Sequence, residues 1–331
     1  MSRLSQMCPP NPGFTAQNLP DLSGRVYIVT GSNTGVGKEL AQILFCRNAK
    51  VYIAARSETK ARAAIESIRV ACPASSGTLV FHHLVLDDLS AVAESAHEFL
   101  AKEGRLDVLF NNAGVMHPPQ GSVTVQGYEL QLGVHNLAPV LFTEMLTPLL
   151  EKTANALAQE GKKDLVRVVW VSSLYAEMGS PKGGFDPDNI DYGKKDQSKY
   201  FKYSASKAGV YYQGVEYGRR HAGKGIVSVS LNPGNLKSDL QRHAGSLKRQ
   251  VADLMLFAPI NGAYTELFAG LSPDVTMEKS GSYIIPWGRF GNIRSDLLAG
   301  SLPKSEGGTA MAGIWYSWCM QQVQKFMDNQ K

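Results

Sequence analysis

The chain has 331 residues, of which 44% are hydrophobic and 19% are charged. This composition is ordinary for a soluble globular protein and excludes a disordered chain. The net charge of +5 suits an anionic ligand, but the Lys and Arg residues are scattered, so we expect no nucleic-acid binding. No stretch approaches the ~20 consecutive apolar residues of a membrane span, and none is predicted.

The cysteines give no sign of a disulfide framework. They are widely spaced and form no C-x-x-C pair: Cys8, Cys46, Cys72 and Cys319. Residues 1–20 contain four prolines and lack the apolar core of a signal peptide. We therefore expect a reducing, cytoplasmic location. His82 and His83 are adjacent but have no matching ligands elsewhere, so no metal site is predicted.

Short β-branched runs alternate with helical patterns along the chain. The predicted strands are 26–30, 51–55, 79–84, 106–111, 166–171, 226–231 and, more weakly, 282–285. The predicted helices lie near 36–48, 58–71, 89–103, 128–150, 202–222 and 253–270. Such alternation predicts an α/β fold of the Rossmann type, with a doubly wound, mainly parallel seven-stranded sheet and helices on both faces.

Three segments interrupt this alternation. We expect an N-terminal arm at 1–23, one Rossmann-type NADP-binding catalytic domain at 24–286 and a C-terminal helical extension at 287–331. The aromatic-rich stretch 311–327 is predicted to be a helix that packs on the sheet or on a partner subunit. Since ligands of such sheets bind at the carboxyl ends of the strands, the chemistry is expected just after each strand.

The first strand runs into a glycine-rich turn. Thr30 to Gly37 reads T-G-S-N-T-G-V-G and is followed by a helical pattern. Glycines let the backbone approach a pyrophosphate closely, and the N–H groups of the helix N-terminus then face the anion. The spacing is G-x-x-x-G-x-G. It predicts a dinucleotide site.

The second strand ends at Arg56, and no carboxylate follows until Glu58. An acidic residue at this position holds the 2′-hydroxyl of NAD, whereas Arg accommodates the 2′-phosphate of NADP. Arg56 therefore predicts NADP as the cofactor. Asn33 and Lys38 are expected to add contacts.

Tyr203 and Lys207 lie one helical turn apart on one face. A nearby ammonium lowers the pKa of a phenol, so Tyr203 could exchange a proton with a carbonyl or alcohol oxygen. Ser172 and Ser173 end the fifth strand, where a hydroxyl could donate a hydrogen bond to the same oxygen.

Together these motifs resemble the classical short-chain dehydrogenase/reductase family over about residues 22–270. The Pro-rich arm and the long loop before Tyr203 are similar to the retinol-dehydrogenase-like branch abundant in fungi, many of whose members are tailoring enzymes of secondary metabolism. The motifs that carry the resemblance are T-G-x-x-x-G-x-G at 30–37, N-N-A-G at 111–114, the serines at 172–173, Y-x-x-x-K at 203–207 and P-G-x-x-x-[ST] at 233–238.

The resemblance implies a role for each matching residue. Tyr203 would be the proton donor or acceptor, Lys207 would bind the nicotinamide ribose and lower the pKa of Tyr203, and Ser173, or Ser172 in its place, would orient the substrate oxygen. The implied cofactor-binding residues, besides Tyr203 and Lys207, are Gly31, Asn33, Thr34, Gly35, Val36, Gly37, Arg56, Leu86, Asn112, Ala113, Gly114, Pro233, Gly234, Leu236 and Ser238.

Two positions depart from the family pattern. The Asn that supports a proton-relay water aligns with His135, with Asn136 next to it. Either His135 or Asn136 takes over the relay, or the relay is impaired, or His135 is only a packed helix residue. The Asp that holds the adenine aligns with Val85, so this contact would fall to the backbone of Leu86.

The favoured function is NADP(H)-dependent interconversion of a carbonyl and an alcohol, with a secondary-metabolism ketoreductase as the expected enzyme. A non-redox enzyme on the same fold and a non-catalytic NADP-binding regulator are the alternatives. Loop 174–200 and the apolar segment 235–258 are expected to enclose a hydrophobic substrate of moderate size. The family often pairs subunits through the helix of Tyr203, so a homodimer is expected unless the tail covers that face.

Overall fold

Within residues 3–237 and 256–328, which the computed structural model describes, eight strands form one sheet. The spatial order is β3-β2-β1-β4-β5-β6-β7-β8, parallel as far as β7, with β8 antiparallel at the edge. The strands are β1 Val26–Thr30, β2 Lys50–Ala55, β3 Thr78–His83, β4 Val108–Asn111, β5 Val166–Val171, β6 Ile226–Leu231, β7 Tyr283–Ile285 and β8 Arg289–Gly291.

The predicted fold class is confirmed. Every residue of β1, β5 and β6 is buried, as expected of strands that are covered on both faces. The sequence predicts seven strands, and the eighth, Arg289–Gly291, was missed because three half-buried residues show no periodicity. This strand lies beyond the predicted end of the catalytic domain at residue 286, yet it pairs with β7.

Helices cover the sheet from both sides. α2 and α9 pack together on one face, while α4, α6, α8 and α11 pack on the other. The helices are α1 Arg3–Met7, α2 Gly35–Cys46, α3 Glu58–Ala71, α4 Leu89–Lys102, α5 Leu130–Leu132, α6 Ala138–Gln159, α7 Tyr175–Met178, α8 Lys199–Arg220, α9 Pro259–Leu271, α10 Ser295–Ser301 and α11 Met311–Asp328. A π-helical turn, Gly133–Leu137, joins α5 to α6.

Several helix ends differ from those predicted. α8 begins three residues before the predicted 202, because the Ser198 hydroxyl accepts a hydrogen bond from the Phe201 N–H and so caps the helix. α6 continues nine residues beyond the predicted end at 150. The predicted helix 253–270 begins only at Pro259, and residues 253–255 lie outside the described residues.

The predicted helix at 311–327 corresponds to α11, which packs on the helices α8 and α6, whereas packing on the sheet or on a partner subunit was expected. Trp315 is fully buried, and its indole occupies the space at Gly209, where a Cβ atom would lie 2.1 Å from the ring. The tail thus covers part of the face that the resemblance assigns to a subunit interface, and the homodimer stays a prediction.

The N-terminal arm is also packed on the domain through Leu19 and Leu22, which belong to the core around α2. Cys46 and Cys72, at the ends of α2 and α3, are joined as a disulfide with their Cα atoms 5.4 Å apart, a pair that the spacing did not predict. Among the helices in the described ranges, none combines the length and hydropathy that a membrane span requires. The cytoplasmic location stays a prediction.

Candidate active site

The glycine turn after β1 lies tightly against the turn after β4. Gly31 has φ +69°, and a Cβ atom there would lie 2.9 Å from the Cα of Ala113. A Cβ atom at Gly37 would lie 2.5 Å from the Asn112 side-chain amide. Glycine is therefore required at both positions, because any side chain would push the two turns apart.

Hydrogen bonds lock these two turns together. The Thr30 hydroxyl accepts from the backbone N–H groups of Asn112 and Ala113, at 3.0 and 2.9 Å. The Asn112 amide donates to the Thr30 carbonyl at 2.7 Å. The N-N-A-G motif therefore supports the glycine turn directly.

A cleft of about 740 Å³ opens at the carboxyl ends of β1, β2 and β4, beside these turns. It begins at the N-terminus of α2, whose first N–H groups provide a site for a phosphate. Of the predicted cofactor residues, the cleft is lined by Gly31, Asn33, Thr34, Gly35, Val36, Gly37, Arg56, Leu86, Asn112, Ala113 and Gly114.

Three cations line one end of the cleft. Arg56 is exposed and lies 3.3 Å from Asp87, while Lys38 donates to the Ser67 hydroxyl at 2.7 Å. Lys60, on the first turn of α3, was not predicted as a site residue. Its position one turn after Arg56 was the signal that could have identified it. This end of the cleft suits an anionic group.

Tyr203, on the first turns of α8, is 5% exposed, and Ser173 lies near enough to act on the pKa of its hydroxyl, which it lowers. The Ser173 Oγ also accepts from the Tyr175 N–H at 3.2 Å. Ser172 instead donates to the Lys207 carbonyl at 2.6 Å and is buried. Of the two serines, Ser173 is therefore the one whose side chain lies beside Tyr203.

Lys207 is buried, and its Nζ donates to the Val171 carbonyl at 3.0 Å and lies 5.9 Å from the centroid of the Tyr203 ring. Burial lowers the pKa of Lys207 to about 8 and raises that of Tyr203 to about 12. The predicted lowering of the Tyr203 pKa is thus not found, because desolvation of the phenol outweighs the other influences.

The π-helical turn places His135 against the catalytic side of the sheet. Nε2 accepts from the Val115 N–H at 3.0 Å, and Nδ1 lies 2.8 Å from the Ser206 hydroxyl. That hydroxyl donates to the Tyr203 carbonyl, so Nδ1 carries the proton. Burial and the charge of Lys207 hold the pKa of His135 well below its usual value, so the ring is neutral.

Asn136 points away from the cleft, between α6 and α8. Its amide donates to the Ser206 carbonyl at 3.0 Å and to Gln213 at 3.3 Å. Gln213 in turn donates to the Asn136 carbonyl at 2.9 Å. Of the two relay candidates, His135 is therefore the one beside Lys207 and Gly114.

The loop after β6 reaches the other side of the site. Pro233 follows Asn232 in this loop. Gly234 has φ +99° and lies against the indole of Trp287. Leu236 forms an isolated β-bridge with Phe257. Ser238 and most of the predicted segment 235–258 lie outside the described residues.

The sequence did not predict a role for α1 here. Gln6 is buried and donates to Glu177 at 2.8 Å, and its oxygen accepts from the Asn232 amide at 2.9 Å. It thereby joins α7, which follows the serines, to the loop after β6. A polar residue in a short N-terminal stretch carries no pattern that could have revealed this contact.

Comparison with known proteins places this site in a family. The short chain dehydrogenase family matches residues 25–185. A short-chain dehydrogenase/reductase of Phomopsis amygdali is 48% identical over 98% of this chain and 96% of its own length. The chain belongs to the short-chain dehydrogenase/reductase family. A second relative, from Neocamarosporium betae, is 46% identical over 98% of this chain and 94% of its own.

Solved structures agree on the fold. An uncharacterised protein of Mycobacterium paratuberculosis, 25% identical, covers 94% of this chain and 98% of its own with a TM-score of 0.67. The RhlG/NADP complex of Pseudomonas aeruginosa, 22% identical, covers 83% and 97% with a TM-score of 0.61. The chain is therefore a short-chain dehydrogenase/reductase with the sheet and helix arrangement of these proteins.

Proposed function

We propose that this family member is an NADP(H)-dependent oxidoreductase that interconverts a carbonyl and an alcohol on a hydrophobic substrate of moderate size. The observation that carries the proposal is the grouping of Tyr203, Ser173 and Lys207, with the Lys207 Nζ 5.9 Å from the centroid of the Tyr203 ring. The fungal relatives, both short-chain dehydrogenases/reductases, support the oxidoreductase class, and a tailoring role in secondary metabolism is part of the proposal.

The residues of the cleft fit a dinucleotide, since Gly31 and Gly37 let the turn after β1 pack closely on the turn after β4, and the start of α2 lines the cleft with N–H groups that suit a phosphate. When bound, the nicotinamide supplies or accepts the hydride. Tyr203 donates its proton to the developing alkoxide in reduction and accepts one from the alcohol in oxidation. Ser173 donates a hydrogen bond to the same oxygen. Lys207 is proposed to hold the ribose hydroxyls.

We propose NADP rather than NAD because Arg56, Lys38 and Lys60 line one end of the cleft. An Arg56→Ala variant is expected to weaken NADPH binding roughly ten- to a hundredfold, because a hydrogen bond to a charged group contributes about 1.5–3 kcal/mol. NADH binding should change little. The Arg62→Ala variant, which removes an exposed cation of the helix that follows Arg56, serves as the control. Equal losses for both cofactors would contradict the proposal.

His135 and Asn136 are proposed to position the site rather than to relay protons. Both ring nitrogens of His135 are engaged, by the Val115 N–H and by Ser206. The side chain of Asn136 is held by α8. His135 then fixes the turn after β4 against the start of α8.

The proposed function is tested by following NADPH oxidation with a panel of apolar ketones and aldehydes. The Tyr203→Phe variant should lose roughly 10²- to 10⁴-fold in kcat, the range for general acid–base catalysis. Tyr211→Phe, on the same helix, is the matched control. Unimpaired turnover by Tyr203→Phe would remove Tyr203 as the proton donor. Product without NADPH consumption would indicate a non-redox enzyme, and NADPH binding without any turnover a regulator.

A further inference from the structure

The ring of the proposed proton donor, Tyr203, belongs to a group of four aromatic rings in contact with one another. The His117 ring lies 5.1 Å from the Tyr203 centroid and 4.4 Å from that of Tyr200. The Tyr175 ring lies 5.6 Å from Tyr203 and 6.2 Å from His117. Most of these pairs are edge-to-face, the arrangement that aromatic rings prefer. His117, Tyr175 and Tyr200 are called the aromatic rim below.

The two tyrosines of the rim are open to solvent, whereas Tyr203 is not. Tyr175 is 42% exposed and Tyr200 58% exposed, against 5% for Tyr203. Tyr175 stands two residues after Ser173, and Tyr200 stands one turn before Tyr203 on α8. The exposed rings therefore flank the two side chains that would hold the reacting oxygen.

Core packing does not explain this exposure. Tyr211, Tyr212 and Tyr217 also lie on α8 and are at most 2% exposed, as expected of rings that fill the core. Tyr200 and Tyr175 instead leave large apolar surface in water beside a concave site. Exposed apolar surface of that kind is typical of a ligand-binding region.

His117 is held in place by its backbone. It has φ +51°, a conformation that is unusual for a non-glycine residue, and strain of this kind clusters at functional sites. Its N–H donates to the Gln131 side chain at 3.1 Å, and Gln131 donates to the Lys199 carbonyl at 3.1 Å. The start of α8 and the loop that carries His117 are therefore joined.

The His117 ring is neutral and has an unused polar atom. Burial, and then the charge of Lys199, lower the pKa of His117 below its usual value. Nε2 is buried and has no hydrogen-bond partner among the described residues. A buried ring nitrogen without a partner is costly, so a ligand oxygen that reached it would be bound favourably.

We propose that the aromatic rim selects planar aromatic ketones, with the carbonyl directed to Tyr203 and a ring hydroxyl directed to Nε2 of His117. The placement of the substrate carbonyl at Tyr203 rests on the proposed function. The binding of the substrate's aromatic ring by the rim does not. Flat π-systems stack on or pack edge-to-face against Tyr175 and Tyr200, whereas a saturated ring of the same size gains only area burial. The ring centroids of His117 and Tyr203 lie 5.1 Å apart.

The test compares three kinds of ketone: 1-decalone, 1-tetralone, and the 6- and 7-hydroxy derivatives of 1-tetralone. Dissociation constants are measured by calorimetry with and without NADP⁺, and kcat/KM is measured with NADPH. We expect 1-tetralone to bind roughly ten- to a hundredfold more tightly than 1-decalone, from two aromatic contacts. At least one hydroxylated compound should bind more tightly still.

Variants assign the effect to residues. Tyr175→Leu and Tyr200→Leu should each reduce the preference for 1-tetralone roughly three- to tenfold, while Tyr175→Phe and Tyr200→Phe retain it. His117→Phe should retain the preference for 1-tetralone and abolish the added affinity of the hydroxylated compounds.

Each outcome decides one claim. Equal binding of 1-decalone and 1-tetralone, or a preference unchanged in both Leu variants, would overturn the role of the rim. Hydroxylated compounds that bind no better than 1-tetralone would overturn the role of His117. Selective binding without turnover of any ketone would support the rim and contradict the proposed function, so the two failures are distinguishable.

Discussion

Glu266 of α9 allows the effect of burial on stability to be measured directly. It is fully buried, and both carboxylate oxygens lack a hydrogen-bond partner among the described residues. Gly262 and Gly270 stand one turn away on the same helix face, close to Leu236 and Phe110. A carboxyl in such surroundings resists ionisation, and burial raises its pKa from 4.5 to about 8.

The sign and size of the effect follow from this pKa. Because the pKa of Glu266 is higher in the folded state, its contribution to stability is fully present below pH 4.5 and is lost as the pH rises towards 8. At pH 7 the carboxyl has ionised in the unfolded state but not in the folded state. This pH lies about 2.5 units above the ordinary pKa of the carboxyl, 4.5. The folded state is then less stable by about 3 kcal/mol, at about 1.4 kcal/mol per unit.

Lys207 and Glu266 act on each other: the charge of Lys207 lowers the pKa of Glu266, and Glu266 raises that of Lys207, but burial outweighs both effects. Burial lowers the pKa of Lys207 from 10.5 to about 8, so the contribution of Lys207 to stability is steady at low pH and changes mainly above pH 8. The difference between wild type and Glu266→Gln from pH 5 to pH 7.5 therefore reports on Glu266.

The assay is urea unfolding of both proteins at several pH values in that range. The free energy of unfolding of wild type should fall relative to that of Glu266→Gln by about 3 kcal/mol, because Gln cannot ionise. Glu94→Gln, at an exposed position of α4, should run parallel to wild type. Parallel curves for wild type and Glu266→Gln would refute the reasoning, since Glu266 would then ionise as readily in the folded state as in the unfolded one.

Two further predictions concern the edges of the site. Gln6→Ala removes the oxygen that accepts from the buried Asn232 amide, so it should lower the free energy of unfolding by about 1–3 kcal/mol. Urea unfolding measures this free energy, and an unchanged midpoint and slope would contradict the prediction. Gly37→Ala should weaken NADPH binding roughly tenfold, or about 1.4 kcal/mol, because the new Cβ displaces the Asn112 amide 2.5 Å away. Fluorescence titration measures the affinity of Gly37→Ala for NADPH. The control is Gly104→Ala, because a Cβ atom at Gly104 meets nothing within 4 Å. Equal NADPH affinities of Gly37→Ala and wild type would contradict the prediction.

Most of the fold was predictable because strands buried on both faces read as continuous apolar runs, whereas amphipathic helices repeat their apolar residues about every 3.6 positions. The errors lie where periodicity is weak. β8 has three residues, and the start of α8 depends on a single capping serine, Ser198. The Cys46–Cys72 pair was missed because nothing in a separation of 26 residues indicates that two helix ends meet.

In the candidate site too, some features could be predicted from local sequence patterns and others depend on packing. The glycine turn and the Tyr203–Lys207 pair are local patterns, so their residues could be named from the chain alone. The relation of Ser173 to Tyr203, and the choice between His135 and Asn136 as the residue beside Lys207, depend on helix rotation and packing. The pKa of Tyr203 was predicted in the wrong direction because burial, which spacing does not reveal, outweighs the other influences.

The sequence by itself determined the order of strands and helices, the turn at 30–37 and the pairing of Tyr203 with Lys207, because each depends on residues close together in the chain. Only the tertiary structure decided what surrounds them. Gln6 reaches Asn232 across 226 residues, and the His117 ring reaches Tyr203 from a different loop. Such contacts arise from how distant segments pack, and that packing sets the burial, the charge and the open surface of the site.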